Sequence, residues 1–207
     1  MLKVWGRKNS ANVQKAMWAI GELGLAYERI DIAGAFGHNR EAPYLALNPN
    51  GLVPTLEDGN LVLWESNSIV RYLARKHGQG TLEPADPGER AVASQWMDWQ
   101  LTVLGPAIHT TFWGLVRTPP EKRDMAAIEA SIAKTTAAIQ ILDAQLAKTA
   151  YVAGDTFSMG DIPVGVFGYR FHSLVKVRPP LPNFERWFAA ISKRPAFYDH
   201  ILSMPLD

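Results

Sequence analysis

The period of the apolar positions changes once along the chain. Before residue 78, short alternating runs are interleaved with short helical stripes; beyond residue 88 the spacing is helical throughout. Leu2-Lys3-Val4-Trp5 alternates as a strand and stops at Gly6. Val13, Ala16, Met17 and Ile20 then fall at i, i+3, i+4 and i+7, which predicts an amphipathic helix ending near Gly24. Tyr27 to Ile32 reads as a second strand, and a short helical piece follows around Tyr44-Leu45 after a loop through His38-Asn39. Asn48-Pro49-Asn50-Gly51 is a turn cluster. Asp58-Gly59 between Thr55-Leu56 and Leu61-Val62-Leu63-Trp64 predicts a hairpin, because glycine accepts the positive φ of such a turn. Ile69, Val70 and Leu73 mark a third helix, with Ser66 placed to cap it.

Strand-helix-strand-helix-strand-strand-helix is the order of a thioredoxin-like α/β domain, with parallel neighbours across the first crossovers and an antiparallel hairpin. The breaker-rich segment Gly78 to Gly88 is a linker. Expected boundaries are therefore an α/β domain over 1–78, a linker over 79–88 and an all-α domain over 89–207, an α+β protein in all. In the second half, Arg90 to Leu104 is expected to bend or end at Gly105-Pro106. Met125, Ile128, Ile132, Ile139, Leu142 and Leu146 predict one long helix. Ser158-Met159-Gly160-Asp161 is a capping box flanked by Phe157 and Ile162 as a staple, although Pro163 removes one backbone donor just inside that helix. Phe184, Trp187, Phe188 and Ile191 form a last stripe.

Composition narrows the chemistry. With no cysteine among 207 residues, disulfides, thiolate metal sites and a cysteine nucleophile are all excluded. His38, His77, His109, His172 and His200 are scattered without metal-ligand spacing, so no metal is expected. A net charge of +1, without a run of one sign, gives no footprint for nucleic acid or an anionic membrane. No apolar run approaches membrane-spanning length, and the N-terminus lacks a leader pattern; a cytoplasmic location is expected.

Two features stand out against this background. Pro54 heads a strand, where it donates no ladder bond, and a cis Val53-Pro54 peptide is one reason for its place. Glu65-Ser66 opens a helix whose first N–H groups and dipole end suit a carboxylate. At this spacing the pair resembles the glutathione-site half of the glutathione S-transferase family. The likeness is sharpest over residues 48–73 and again at the capping box, 154–162.

The resemblance implies a glutathione transferase acting in detoxification, with glutathione as co-substrate and a hydrophobic electrophile as second substrate. It implies that Ser66 takes the γ-glutamyl carboxylate, that Glu65 favours the amine, and that Val53, before Pro54, pairs with the cysteinyl backbone. Asn39 or His38 would contact the glycyl end. Trp5-Gly6 stand where tyrosine-type relatives carry their tyrosine, so Arg7-Lys8-Asn9-Ser10-Ala11-Asn12 looks like the serine-type loop of theta, delta and phi relatives. Ser10 is the thiol-activating donor on this view, Asn12 its rival; read alone, Ser10 is a helix N-cap. The second-substrate pocket is expected between Gly6-Arg7, the Ser10 loop and the helix carrying His109, Thr110, Phe112 and Trp113. There Arg7 favours an anionic substrate or a developing negative charge. A homodimer is implied too, with Asp98 or Gln100 reaching across the interface. The competing reading is a binding or interaction module on the same scaffold with little turnover.

Overall fold

A computed structural model describes residues 1–206. Four strands, β1 (Leu2–Trp5), β2 (Tyr27–Ile30), β3 (Thr55–Asp58) and β4 (Leu61–Trp64), form one sheet in the order β2-β1-β3-β4. β1 pairs parallel with β2 through helix α1 (Ala11–Glu22), while β3 runs antiparallel to both β1 and β4. The second crossover therefore does not make a parallel neighbour as the pattern suggested. Its helix α2 (Ala42–Leu47) has only six residues and does not carry the chain back along the sheet, so β3 enters against β1. β2 is also two residues shorter than expected, because its partner β1 ends at Trp5, opposite Ile30. The turn beyond it is set by Ala33 at φ +69°.

Helix α3 (Ser66–His77) closes the α/β layer, and α4 begins at Pro87, its first N–H groups accepted by the Asp86 carboxylate. The chain stays helical from α4 (Pro87–Trp99) through α5 (Gly105–Phe112), so of the two outcomes expected at Gly105-Pro106, a bend or an end, the helix does not end there. A π-helical turn over Gln100–Leu104 bridges the two, with the Gly105 N–H bonded five residues back to the Gln100 carbonyl. That widened register is a way for a helix to absorb a proline that lacks a donor. A second π turn, Trp113–Arg117, follows α5. Helices α6 (Met125–Leu146), α7 (Asp161–Leu174) and α8 (Pro182–Ser192) follow, and a short helix α9 (Pro195–Phe197) runs into a last π turn, Tyr198–Leu202. Pro163 is tolerated because α7 starts at Asp161. It sits in the first turn, where backbone N–H groups have no intrahelical partner anyway.

One contiguous apolar core joins both halves. Its centre is Trp18 of α1, wholly buried, with Phe197 and Phe157 at ring-centroid distances of 4.6 and 5.5 Å. Gly165 of α7 permits this approach, since a Cβ there would lie 2.8 Å from the Trp18 ring. Only half of the expected capping box forms: Gly160 holds the cap position of α7, and the Ser158 hydroxyl accepts from the Gly160 N–H at 3.3 Å and not from that of Asp161. The buried Asp161 carboxylate accepts from the Ser158 and Val152 backbone N–H groups, the Ser158 hydroxyl and the Trp187 indole. Burial pushes its pKa up to about 6. Phe157, the expected staple residue, turns its ring toward Trp18 and Tyr151. α1 is thereby fixed on α7.

Candidate active site

Two cavities meet at the start of α1. The larger, of about 620 Å³, lies between the α/β sheet's loops and α5, and is lined by Arg7, Ser10, Asn12, His109, Phe112 and Trp113. A small cavity of about 50 Å³ is lined by Asn48, Leu52, Val53, Pro54, Glu65 and Ser66. Asn12 lines both. The large cavity is of the size of small-molecule sites.

Each wall has a local cause. The Val53-Pro54 peptide is cis. Asn48, whose amide donates to the Leu52 carbonyl at 2.8 Å, and Tyr44, whose hydroxyl donates to the same oxygen at 2.6 Å, hold the segment before it. The turn from β4 into α3 is made by Glu65 at φ +70°, a left-handed conformation that costs a non-glycine residue on the order of 1–3 kcal/mol. Ser66 is the first residue of α3, so the cap position belongs to Glu65 and not to Ser66 as its pattern suggested. The buried Ser66 hydroxyl donates instead to the Asn12 side-chain oxygen Oδ1 at 3.4 Å.

Ser10 occupies the N-cap position of α1 with extended φ and ψ, yet its side chain makes no capping hydrogen bond. Its hydroxyl is left to the cleft that it lines, beside the positive end of a 12-residue helix. The residue that the sequence reads first as a cap thus holds the cap position without a side-chain cap bond and lines the cleft.

Beneath this junction lies a residue that the sequence did not single out. Lys15 of α1 is wholly buried, its Nζ donating to Gln100 Oε1 at 2.6 Å, Asn67 Oδ1 at 3.3 Å and Ser66 Oγ at 3.5 Å. Burial, reinforced by the positive charge of Arg170 and opposed by Glu65, pushes its pKa down to about 7. The only signal available beforehand was a lysine set within the apolar run of α1. Gln100 is buried against Lys15 and lines the cleft, so it faces inward rather than toward a second subunit. Asp98 is paired with Arg71.

Arg117, Phe167 and Arg170 also line the large cavity, and they too were missed, because α7 carries two of them from far along the chain. Burial, together with the neighbouring charges of Arg117 and Arg7, pushes the Arg170 guanidinium down to about 10. Thr110 and Gly6 are not among the lining residues. Neither are His38 and Asn39: the His38 ring faces Glu41 at 2.7 Å, and the Asn39 amide donates to the Gly51 carbonyl at 2.7 Å. Trp96 and Trp99 pack edge to face at 4.9 Å and line neither cavity. Among the described residues no group of three or more His, Asp or Glu is placed to hold a metal, and no helix is long and apolar enough to cross a membrane.

Comparison with known proteins decides the family. The model of the glutathione S-transferase N-terminal domain matches residues 1–75, and that of the C-terminal domain matches 125–190. The chain belongs to the glutathione S-transferase family. Glutathione S-transferase GstB of Escherichia coli is 47% identical over 198 residues, 95% of each chain. Glutathione S-transferase 3 of Zea mays is 31% identical, covering 99% of this chain and 95% of its own. Among solved structures, the theta class glutathione S-transferase of Xanthomonas axonopodis pv. citri with glutathione bound superposes with a TM-score of 0.95. It is 45% identical and covers 100% of this chain and 99% of that one. Glutathione transferase F7 of Populus trichocarpa gives 0.84 at 26% identity, covering 96% and 97%. The expected fold therefore stands, as does the expected class of enzyme, a transferase with glutathione as co-substrate.

Proposed function

We propose that this glutathione transferase ionises glutathione with the Ser10 hydroxyl and directs the thiolate at an electrophilic carbon held in the large cleft. The observation that carries the reading is Ser10 itself, an N-cap residue whose side chain makes no capping bond and lines the cleft. A free thiol has a pKa of about 8.5, and lowering it by about two units takes about 2.7 kcal/mol. One hydrogen bond to a charged group supplies about 1.5–3 kcal/mol, and a helix N-terminus about 0.3–1 more. A single hydroxyl at the start of α1 is enough. Asn12 is the rival donor; its side-chain Oδ1 already accepts from Ser66, which ties its amide to that side of the junction.

In this reading Ser66 and the first N–H groups of α3 take the γ-glutamyl carboxylate, and Glu65 takes the amine. Val53 pairs with the cysteinyl backbone as one strand pairs with another. Asn39 shapes the glycyl end indirectly, through the Gly51 turn that it holds, with His38 beside it. Residues 1–78 supply this half of the site, and 89–207 supply the second-substrate wall across the linker 79–88. The electrophile packs its apolar body on Phe112 and Trp113, near His109 and Arg7. The enzyme works as a cytoplasmic homodimer in detoxification. Support for the dimer comes from edge strand β4, which exposes Leu61, Val62 and Trp64 at 38–39%.

The test is a calorimetric titration with glutathione beside an assay of chlorodinitrobenzene conjugation. Saturable binding with turnover, and loss of about 10²-fold in turnover in Ser10→Ala, is the expected result. Binding without turnover would instead make the protein a glutathione-binding module.

A further inference from the structure

Three side-chain oxygens converge on the buried Nζ of Lys15: Gln100 Oε1 at 2.6 Å, Asn67 Oδ1 at 3.3 Å and Ser66 Oγ at 3.5 Å. An ammonium has three N–H donors and a neutral amine has two, so three acceptors suit the charged form. The Asn67 amide nitrogen donates to the Met97 carbonyl at 2.7 Å, which turns its oxygen toward the lysine. Nζ also lies over the Phe167 ring, 5.0 Å from its centroid. Yet all three oxygens are neutral, and a buried cation held by neutral groups keeps much of its desolvation cost. The charged groups that act on Lys15 are Arg170 of α7, which disfavours the proton, and Glu65 ahead of α3, which favours it. With burial added, the balance stands at about 7, so the proton is held or lost on a small change of charge nearby. Lys15 lines neither cavity, but Ser66, which it touches, lines the small one. A carboxylate bound to the Ser66 hydroxyl would stand about 6 Å or less from Nζ, two hydrogen bonds away. That is within the range where an opposite charge favours a protonated amine.

We propose that Lys15 is a positioning residue of the glutathione site: acting through Ser66, it supplies a buried counter-charge to the γ-glutamyl carboxylate and takes up a proton from solvent as that carboxylate arrives. The proposal rests on the seat given to the γ-glutamyl end above. In the empty site the Ser66 hydroxyl donates to Asn12 Oδ1 at 3.4 Å, a long bond that it can exchange for the carboxylate while still accepting from Lys15. The amine of the ligand offsets Glu65, whereas its carboxylate sits on the residue that Lys15 touches, so the nearer new charge is negative. Water or buffer gives up the proton and Nζ holds it; no bond within the ligand changes. Because the occupied site holds the extra proton, affinity falls as pH rises above about 7.

The test uses S-methylglutathione, which keeps the γ-glutamyl end and has no thiol to ionise. Calorimetric titrations in phosphate and in Tris, whose ionisation enthalpies differ, count the protons taken up per site. The comparison is between the wild type, Lys15→Met and Lys15→Arg; a proton taken up by the ligand's own amine is common to all three and cancels. At about pH 8 the wild type should take up about half a proton more than either variant, and at about pH 6, where Lys15 is already charged, the difference should vanish. At about pH 6 Lys15→Met should bind about tenfold more weakly or worse, while Lys15→Arg, always charged, should keep most of the affinity. Either variant alone carries the comparison of proton uptake if the other fails to fold. Binding with equal uptake in wild type and variant at pH 8, or a difference as large at pH 6, would overturn the proposal and leave the transferase reading intact. An affinity loss in Lys15→Met without a difference in uptake would overturn it too, because Lys15 would then serve the fold alone. No binding by the wild type would overturn the reading of the glutathione seat, and this proposal with it.

Discussion

At the scale of single residues, the site joins a strained backbone at Glu65 with a cap-position serine, Ser10, whose side chain makes no cap bond. Glu65 is held at φ +70° at the mouth of the small cavity. Glu65→Gly is expected to relieve up to about 1 kcal/mol of strain, read as a higher urea midpoint, while weakening glutathione binding in calorimetry. A loss of stability with unchanged binding would mean that the conformation serves the fold alone. The capping box behaves differently. Ser158→Ala should cost about 1 kcal/mol, because its hydroxyl donates to Asp161 and accepts from the Gly160 N–H. Asp161→Ala should cost about 3 kcal/mol or more, because it strands the Val152 and Ser158 N–H groups and the Trp187 indole, all buried. Ser10, Asn12, Val53, Glu65, Ser66, Arg7, His109, Phe112 and Trp113 were all legible as site candidates, since short motifs and loops place them. Lys15, Arg117 and Arg170 were not. Their roles depend on which helix faces pack together, and no local spacing encodes that.

At the scale of elements, α1 connects the two halves. Its N-terminus presents Ser10 and Asn12, its middle buries Lys15 under Ser66, and Trp18 fills the core against α7. Gly165→Val would push a side chain into Trp18, already within 2.8 Å of a Cβ at that position. A destabilisation of about 1–3 kcal/mol in urea unfolding is expected, with glutathione affinity falling in parallel because α1 carries the site. Unchanged affinity in a destabilised variant would show that the α1–α7 contact does not position Ser10. Element order and type were legible from periodicity and turn residues for every strand and for α1, α3, α6 and α8. The continuity of α4 into α5 was not, because Gly105-Pro106 reads as a break. The π turn that carries the helix past it starts at Gln100, whose side chain accepts from Lys15, 85 residues away in sequence.

At the scale of the whole molecule, the buried lysine makes stability depend on pH. Lys15 has a pKa of about 7 in the folded protein against 10.5 as an ordinary lysine. Between those values the unfolded chain binds the extra proton, so the Lys15 contribution is least favourable below about pH 7 and improves as pH rises toward 10.5. Urea midpoints measured at about pH 6 and about pH 9 should show this rise in the wild type, and a smaller one in Lys15→Met. An identical pH profile in the variant would remove the linkage. Sedimentation of the intact protein should give a dimer, and a charge introduced by Val62→Lys on the exposed edge of β4 should shift it toward monomer. A wild-type monomer would remove that edge from the account. The central claim, thiol activation by Ser10, is tested most directly by following thiolate absorbance of the glutathione complex against pH in the wild type, Ser10→Ala and Asn12→Ala. The account predicts a bound-thiol pKa about two units below that of free glutathione in the wild type and in Asn12→Ala, and near the free value in Ser10→Ala. An unshifted wild-type thiol, or a shift that survives in Ser10→Ala and vanishes in Asn12→Ala, would contradict it.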